Sequence, residues 1–381
     1  MVYCSKCGCT EDKYFGINNN NQLYCRRCIV FKDENVKEKG KFNTEIVKPR
    51  INYPLTKEQK ELSSKVVEAF RNKKDVLIYA VCGAGKTEIV FEVIADCLNK
   101  KKQVGFAIPR KDVVIELESR IKDAFPDSKV VSVYGGHKEE VVGDIILLTT
   151  HQLFRYKKYF DLLIIDETDA FPFSNNEVLM HMFEESLKGN YIMMSATPLK
   201  WMKDKIKKDN GVSLSLLKRF HGHKIVEPVL KVVPFFQILV IIELLTKYRK
   251  ENKPCLIFVP TKYDGENLFK LLKNIFSKID YVHSSKEDRQ EVIDMFKKGH
   301  IRFLITTSIL ERGITIKNIQ VIVYKAEHEL YTKEVLIQIS GRVGRKIDSY
   351  DGDVVFVAKK STVFIENAIK EIREANMHGI L

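Results

Sequence analysis

Short apolar runs recur along this chain, each ending in a polar or glycine-rich turn and each followed by a stretch with apolar residues three and four apart. "VLIYA" (76–80) leads through a glycine turn to Ile89, Val90, Val93, Ile94 and Leu98. "FAIPRKDVVIELESRI" repeats the pattern, and "KPCLIFVPTK", "FLITTSILERGITI" and "VIVYKAEHE" resume it in the second half. Runs of this length read as strands buried on both faces, and the wider spacing as helices packed over them. Strand and helix in alternation predict an α/β fold with two parallel sheets. The most apolar later stretch, Val232 to Leu245, is interrupted by Pro234, Gln237 and Glu243. It is too short and too polar to span a bilayer and predicts an amphipathic core helix.

The first fifty residues break this rhythm. Five of the eight cysteines fall within the first 28 residues, as Cys4-x2-Cys7 and Cys25-x2-Cys28 with seventeen residues between the pairs and Cys9 to spare. Two such knuckles can set four thiolates tetrahedrally around Zn²⁺. A disulfide pair is disfavoured in the cytosol, and a redox pair would want a different surrounding pattern. Cys9 could stand in for Cys7. Cys82, Cys97 and Cys255 read as small core residues. From Ile29 to about Ile51 the chain is charged and shows little periodicity, and reads as a linker or loosely packed arm.

Charge narrows the function. There are 63 Lys and Arg against 50 Asp and Glu, a net +13. That excess favours a polyanionic partner. The N-terminus lacks the apolar core of a secretory signal, so a soluble intracellular protein is expected.

Three motifs carry chemistry. Ala80-Val81-Cys82-Gly83-Ala84-Gly85-Lys86-Thr87 joins a strand to a helix and is a phosphate-binding loop with Ala at the usual first Gly. Gly83, Ala84 and Gly85 let backbone N–H groups close on phosphate, Lys86 reaches the β- and γ-phosphates of ATP, and Thr87 ligates Mg²⁺. "YFDLLIIDETD" leaves Asp166, Glu167 and Asp169 at the carboxyl end of a strand, where parallel sheets keep their sites. Asp166 is expected to hold Mg²⁺ through water and Glu167 to deprotonate the attacking water. Gln338, Arg342 and Arg345 of "QISGRVGR" (338–345) put two arginines three apart, a spacing that suits charge stabilisation on a transferring phosphoryl group. "KDKIKK" (203–208) and Lys218-Arg219 are read as a phosphate track.

The order of these motifs resembles that of superfamily-two helicases and translocases. The resemblance implies two RecA-like lobes, 51–225 and 226–381, behind a zinc module and linker at 1–50. It also implies roles at matching positions. Gln59 of "YPLTKEQKEL" would read adenine, and Ser195 and Thr197 of "YIMMSATPLK" would couple nucleotide state to closure. Pro109 and Arg110, Thr149 and Thr150, and Thr306 and Thr307 would face a nucleic-acid backbone, with Gly313 near the γ-phosphate. Within the superfamily, three features resemble the ComFA family of late-competence ATPases: the four-cysteine front, "IIDETDAFPF", and "RFHGHKIVEP". The third position of the acidic motif departs from the family, and the front is short for it. The resemblance implies a DNA-stimulated ATPase driving single-stranded DNA uptake, with ComFC, ComEC and DNA-processing protein as partners. It implies a cytoplasmic protein at the inner face of the membrane, with oligomerisation open. A primosomal PriA-type helicase would carry its cysteines inside or after the motor, and a DEAD-box RNA helicase would read DEAD. A non-enzymatic zinc-dependent nucleic-acid-binding protein would not need Lys86, Asp166, Glu167 and Arg345.

Overall fold

The computed structural model describes residues 2–29, 31, 35–42, 45–137, 140–169, 173, 176–283, 285–307 and 316–378. The chain forms two compact units, Met1–Ala80 with Gly85–Leu216 and Val81–Ala84 with Leu217–Leu381.

The first unit opens with a hairpin of β1 (Phe15–Ile17) and β2 (Leu23–Cys25), paired antiparallel with Phe15 opposite Cys25. The Asn18 carboxamide oxygen accepts from the backbone N–H groups of Asn20 (3.0 Å) and Gln22 (2.9 Å) and so closes the turn. Then follow α1 (Lys57–Arg71), β3 (Val76–Ala80), α2 (Lys86–Ile89), α3 (Phe91–Asn99), β4 (Val104–Ile108), α4 (Lys111–Ala124), β5 (Val130–Val133) and β6 (Ile145–Thr149). The unit ends with β7 (Phe160–Asp166), α5 (Glu177–Ser186), β8 (Leu187–Ser195), α6 (Lys200–Lys208) and β9 (Val212–Leu216). Its sheet runs β5-β6-β4-β7-β8-β3-β9, with every neighbouring pair parallel. Strands β4, β5 and β6 are buried at every position. That explains their largely apolar sequence, interrupted only by the buried Ser132 and Thr149.

The second unit carries β10 (Val229–Val232), α7 (Gln237–Lys250), β11 (Cys255–Phe258), α8 (Lys262–Leu272), β12 (Ile279–Val282), α9 (Arg289–Lys297) and β13 (Phe303–Thr306). It continues with β14 (Gln320–Tyr324), α10 (Lys333–Ser340), β15 (Val354–Ala358) and α11 (Val363–His378). The order β10-β15-β14-β11-β13-β12 is again wholly parallel. Both units are therefore RecA-like α/β layers. The apolar stretch after Val232 becomes the core helix α7, starting at Gln237, beyond Pro234.

The segment read as a loose arm is laid along the first unit. Val36 N–H donates to the Arg155 carbonyl (2.8 Å), and the Tyr159 hydroxyl donates to the Glu38 carbonyl (2.7 Å). Val47 exchanges two hydrogen bonds with the Asn99 carboxamide (2.8 and 2.9 Å), and Arg50 N–H donates to the Ala124 carbonyl (2.8 Å). Backbone groups hold the segment, so it needs no apolar period. The cysteine module is likewise no free appendage. Cys7, Cys9, Cys25 and Cys28 are buried in one cluster with Phe173, Leu179, Met182 and Phe183. Arg27 pairs with Glu177 on α5 at 3.1 Å.

Gly8 makes this seat testable. It has φ +70°, and a Cβ there would lie 2.8 Å from His181 Nδ1 of α5. Gly136 has φ +84° with no atom within 4 Å of its would-be Cβ. Gly136→Ala therefore carries only the backbone cost, about 1 kcal/mol. Gly8→Ala adds the collision and should cost clearly more. Equal losses in denaturant melts of the two variants would show that α5 yields.

Candidate nucleotide site and zinc centre

The phosphate-loop sequence folds as a strand, a turn and a helix start. After β3, Ala84 N–H donates back to the Val81 carbonyl (3.1 Å), and Gly83 and Gly85 sit at φ +84° and +76°. A side chain at Gly85 would collide with the Gln59 amide. Glycine is thus required twice, once by conformation and once by approach. Helix α2 begins at Lys86, and first-turn N–H groups have no intrahelical partner, which suits them to phosphate oxygens. Lys86 Nζ lies 3.7 Å from Asp166 Oδ1 at the end of β7. A cation, a glycine turn and a carboxylate at the carboxyl ends of parallel strands fit a nucleoside triphosphate with its divalent cation.

Glu167 follows at φ +56°, a left-handed conformation rare outside glycine and concentrated at functional sites. Its N–H donates to Asp166 Oδ1 (2.8 Å). Thr168 turns inward, its hydroxyl donating to the Met194 carbonyl (3.3 Å). Asp169, given no role on sequence grounds, accepts hydrogen bonds from the hydroxyls of both Ser195 (2.8 Å) and Thr197 (3.0 Å), one on each oxygen. Thr197 N–H closes the arrangement on the Ser195 oxygen (2.9 Å). The acidic motif and the hydroxyl pair, which lie on neighbouring strands β7 and β8, are one hydrogen-bonded unit.

Gln59 is buried on α1, and its side-chain oxygen accepts from Thr56 N–H (2.9 Å) in a capping box. This anchors α1 beside Gly85. Glu88, directly after the phosphate loop, is 4% exposed, pairs with Arg120 and accepts the Tyr53 hydroxyl at 2.6 Å. Burial and that carboxylate push the Tyr53 hydroxyl up to about 12, so it remains a donor at neutral pH. Glu88, Arg120 and Tyr53 have no role legible in the sequence, although Tyr53 and Arg120 lie within quoted stretches. Their partners are distant in sequence.

The remaining positions divide. Gln338 lies on α10, buried like Arg342 just beyond it, and Arg345 Nε donates to the Gly341 carbonyl (2.9 Å). Pro109, Thr149, Thr150 and Thr306 are buried, and Arg110 and Thr307 are half-buried. Gly313 lies outside the described residues. Two parts of the basic track are used internally. Lys205 Nζ bonds Glu184 (2.9 Å) and Asp209 (3.2 Å), and Arg219 is 2% exposed with its N–H groups on backbone carbonyls. Burial removes Arg219 from any phosphate track, while Lys203, Lys207 and Lys208 stay exposed.

The sulfur atoms of Cys4, Cys7, Cys25 and Cys28 lie within 4.8 Å of one another, with Cys4 to Cys28 at 3.4 Å and Cys7 to Cys25 at 3.6 Å. A zinc tetrathiolate with bonds of about 2.3 Å has sulfur edges of about 3.8 Å, so the four fit that ion. Cys9 is buried outside the set, 4.0 Å from the Glu11 carbonyl. Burial pushes the Cys7 thiol up to about 12 and Cys28 higher, so a metal would have to drive the deprotonation.

Fold and motif geometry together define a helicase-type ATPase with two RecA-like units. The helicase conserved C-terminal domain matches residues 237–346, and the type III restriction enzyme res subunit matches 52–200. Dbp5 of S. cerevisiae bound to RNA and ADP BeF3 shares the fold, with a TM-score of 0.63 at 17% identity over 84% of this chain and 91% of that one. RecG bound to a three-way DNA junction gives 0.60 at 21% identity, over 86% and 45%. Competence protein ComFA of Bacillus subtilis (strain 168) is 34% identical over 98% of this chain and 85% of its own length. That of Streptococcus pneumoniae (strain ATCC BAA-255 / R6) is 34% identical over 98% and 90%. The chain belongs to the ComFA family of competence proteins. Among the described residues, no helix is long and apolar enough to cross a membrane.

The cysteine geometry gives a metal test. Purified protein should carry one zinc per chain by elemental analysis, lost on Cys7→Ser or Cys28→Ser and kept on Cys9→Ser. Because the thiols share a core with α5, the metal-free variants should also melt earlier. Zinc retained by Cys28→Ser would refute the ligand set.

Proposed function

We propose that this helicase-type ATPase is a magnesium-dependent, DNA-stimulated translocase that moves single-stranded DNA during competence. The observation that carries the reading is the Lys86–Asp166 approach, with Glu167 held at positive φ beside it. In this reading Gly83, Ala84, Gly85, Lys86 and Thr87 cradle the triphosphate and Gln59 reads the base. Thr87 and Asp166 hold the cation, whose role is to offset phosphate charge. Glu167 takes the proton of the attacking water. Arg342 and Arg345, in the turn after the helix that carries Gln338, stabilise the charge developing on the phosphoryl group. Asp169 ties any shift of the acidic motif to Ser195 and Thr197.

The net +13 supports a polyanionic track, and membership of a competence family supports DNA as that polyanion. Since Thr149, Thr150 and Thr306 are buried, phosphate contacts at those loops fall to backbone N–H groups and to Arg110 and Thr307. Lys203, Lys207 and Lys208 extend the positive surface. The zinc module, seated on α5, serves DNA or partner engagement. ComFC, ComEC and DNA-processing protein at the inner face of the membrane are the partners the family suggests.

Lys86→Ala should abolish tight nucleotide binding. Glu167→Gln should bind ATP with near-normal affinity and lose about 10²–10³ in turnover. Equilibrium nucleotide binding beside steady-state phosphate release separates the two, and near-normal turnover in Glu167→Gln would remove the residue from the base role.

A further inference from the structure

The second unit contains a buried cation whose work none of the motifs explains. Arg219, in "RFHGH", donates from Nη1 to the carbonyls of Val343 (2.9 Å) and Gly344 (2.6 Å), and from Nη2 to that of Gly341 (3.4 Å). Its Nε donates to the Cys82 carbonyl (3.2 Å), and the next residue, Phe220, donates its N–H to the Gly83 carbonyl (3.1 Å). His221 Nε2 lies 3.0 Å from the Gly344 carbonyl. Among the described residues no carboxylate pairs with Arg219.

A guanidinium taken out of water without a counter-ion is costly. Here the compensation is four backbone carbonyls, that of Cys82 and three in the turn after α10, where Gly341 caps the helix and Val343 and Gly344 follow it. Burial still pushes Arg219 down to about 10, with the like charge of Arg345 adding to it. Only a forked group can serve four carbonyls in different directions; a lysine presents its donors from one atom.

We infer that Arg219 is a positioning residue that holds, at once, the backbone turn presenting Arg342 and Arg345 and the peptide groups of Cys82 and Gly83. The inference rests on the ATPase reading above. The peptide whose carbonyl Arg219 binds, Cys82 to Gly83, offers its N–H at the glycine turn. A donor on the carbonyl strengthens that N–H as a donor in turn. The other end of the fork fixes the turn from Gly341 to Gly344, which sets where both arginines project. Phe220 N–H and His221 repeat the two attachments, one on each side. A short segment after β9 therefore orders both elements from one buried charge.

The test uses the full chain with Arg219→Lys and Arg219→Met, read by nucleotide-binding stoichiometry, thermal melting, and turnover per bound nucleotide. A residue that only supports folding would lower the binding-competent fraction and leave turnover per bound nucleotide at the wild-type value. Positioning predicts near-unit stoichiometry with turnover per site down roughly 10- to 100-fold, and no rescue by lysine although it keeps the charge. Wild-type turnover per site in either variant would overturn the assignment. If both variants fail to fold, His221→Ala removes only the second contact to Gly344 and carries the same test: reduced turnover per site supports it, unchanged turnover overturns it. A wild-type protein that binds but does not hydrolyse ATP would instead remove the ATPase reading itself.

Discussion

One carboxylate holds the chemistry of the first unit in register. Asp169 accepts hydrogen bonds from the hydroxyls of Ser195 and Thr197 on its two oxygens, so the segments that follow β7 and β8 are tied together. Everything nearby leans on that tie. Glu167 is held in a left-handed conformation between Asp166, which accepts its neighbour's N–H, and Thr168, which is pinned to Met194. A strained residue persists only where its surroundings over-determine it. Asp166 in turn approaches Lys86, which brings the helix start after the glycine turn into the same constellation. A change at Ser195 is thereby a change at the acidic motif.

The zinc module joins this arrangement from the side. It shares a core with α5, the helix that follows the acidic motif, and His181 of that helix faces Gly8 of the first knuckle. The four sulfurs lie close enough to share one cation, and a hairpin of three-residue strands has little core of its own. The cysteine cluster and α5 share one buried core.

Much of this was legible in the sequence because it depends on neighbours along the chain. The glycine turn, the strand before it, the acidic strand end and the two cysteine pairs are local patterns with a chemical reason for their spacing. The alternation of apolar runs and helical spacing read through to two parallel sheets for the same reason. What stayed hidden was long-range. Asp169 finds its hydroxyls 26 and 28 residues away, and Arg219 finds its carbonyls more than 120 residues away. Val36, Glu38, Val47 and Arg50 bind through their backbone groups, so no apolar period announces them. Lys205 and Arg219 read as part of a phosphate track, because a basic residue looks the same in sequence whether it meets a phosphate, a carboxylate or backbone carbonyls.

The central claim is that these groups form a nucleotide engine driven by single-stranded DNA. It is tested most directly by ATP turnover of the wild-type protein with single-stranded DNA, duplex DNA and RNA in parallel, at one salt concentration. The account predicts magnesium-dependent hydrolysis that rises with single-stranded DNA well above its level with either of the others. Turnover indifferent to nucleic acid, or raised by RNA alone, would contradict it.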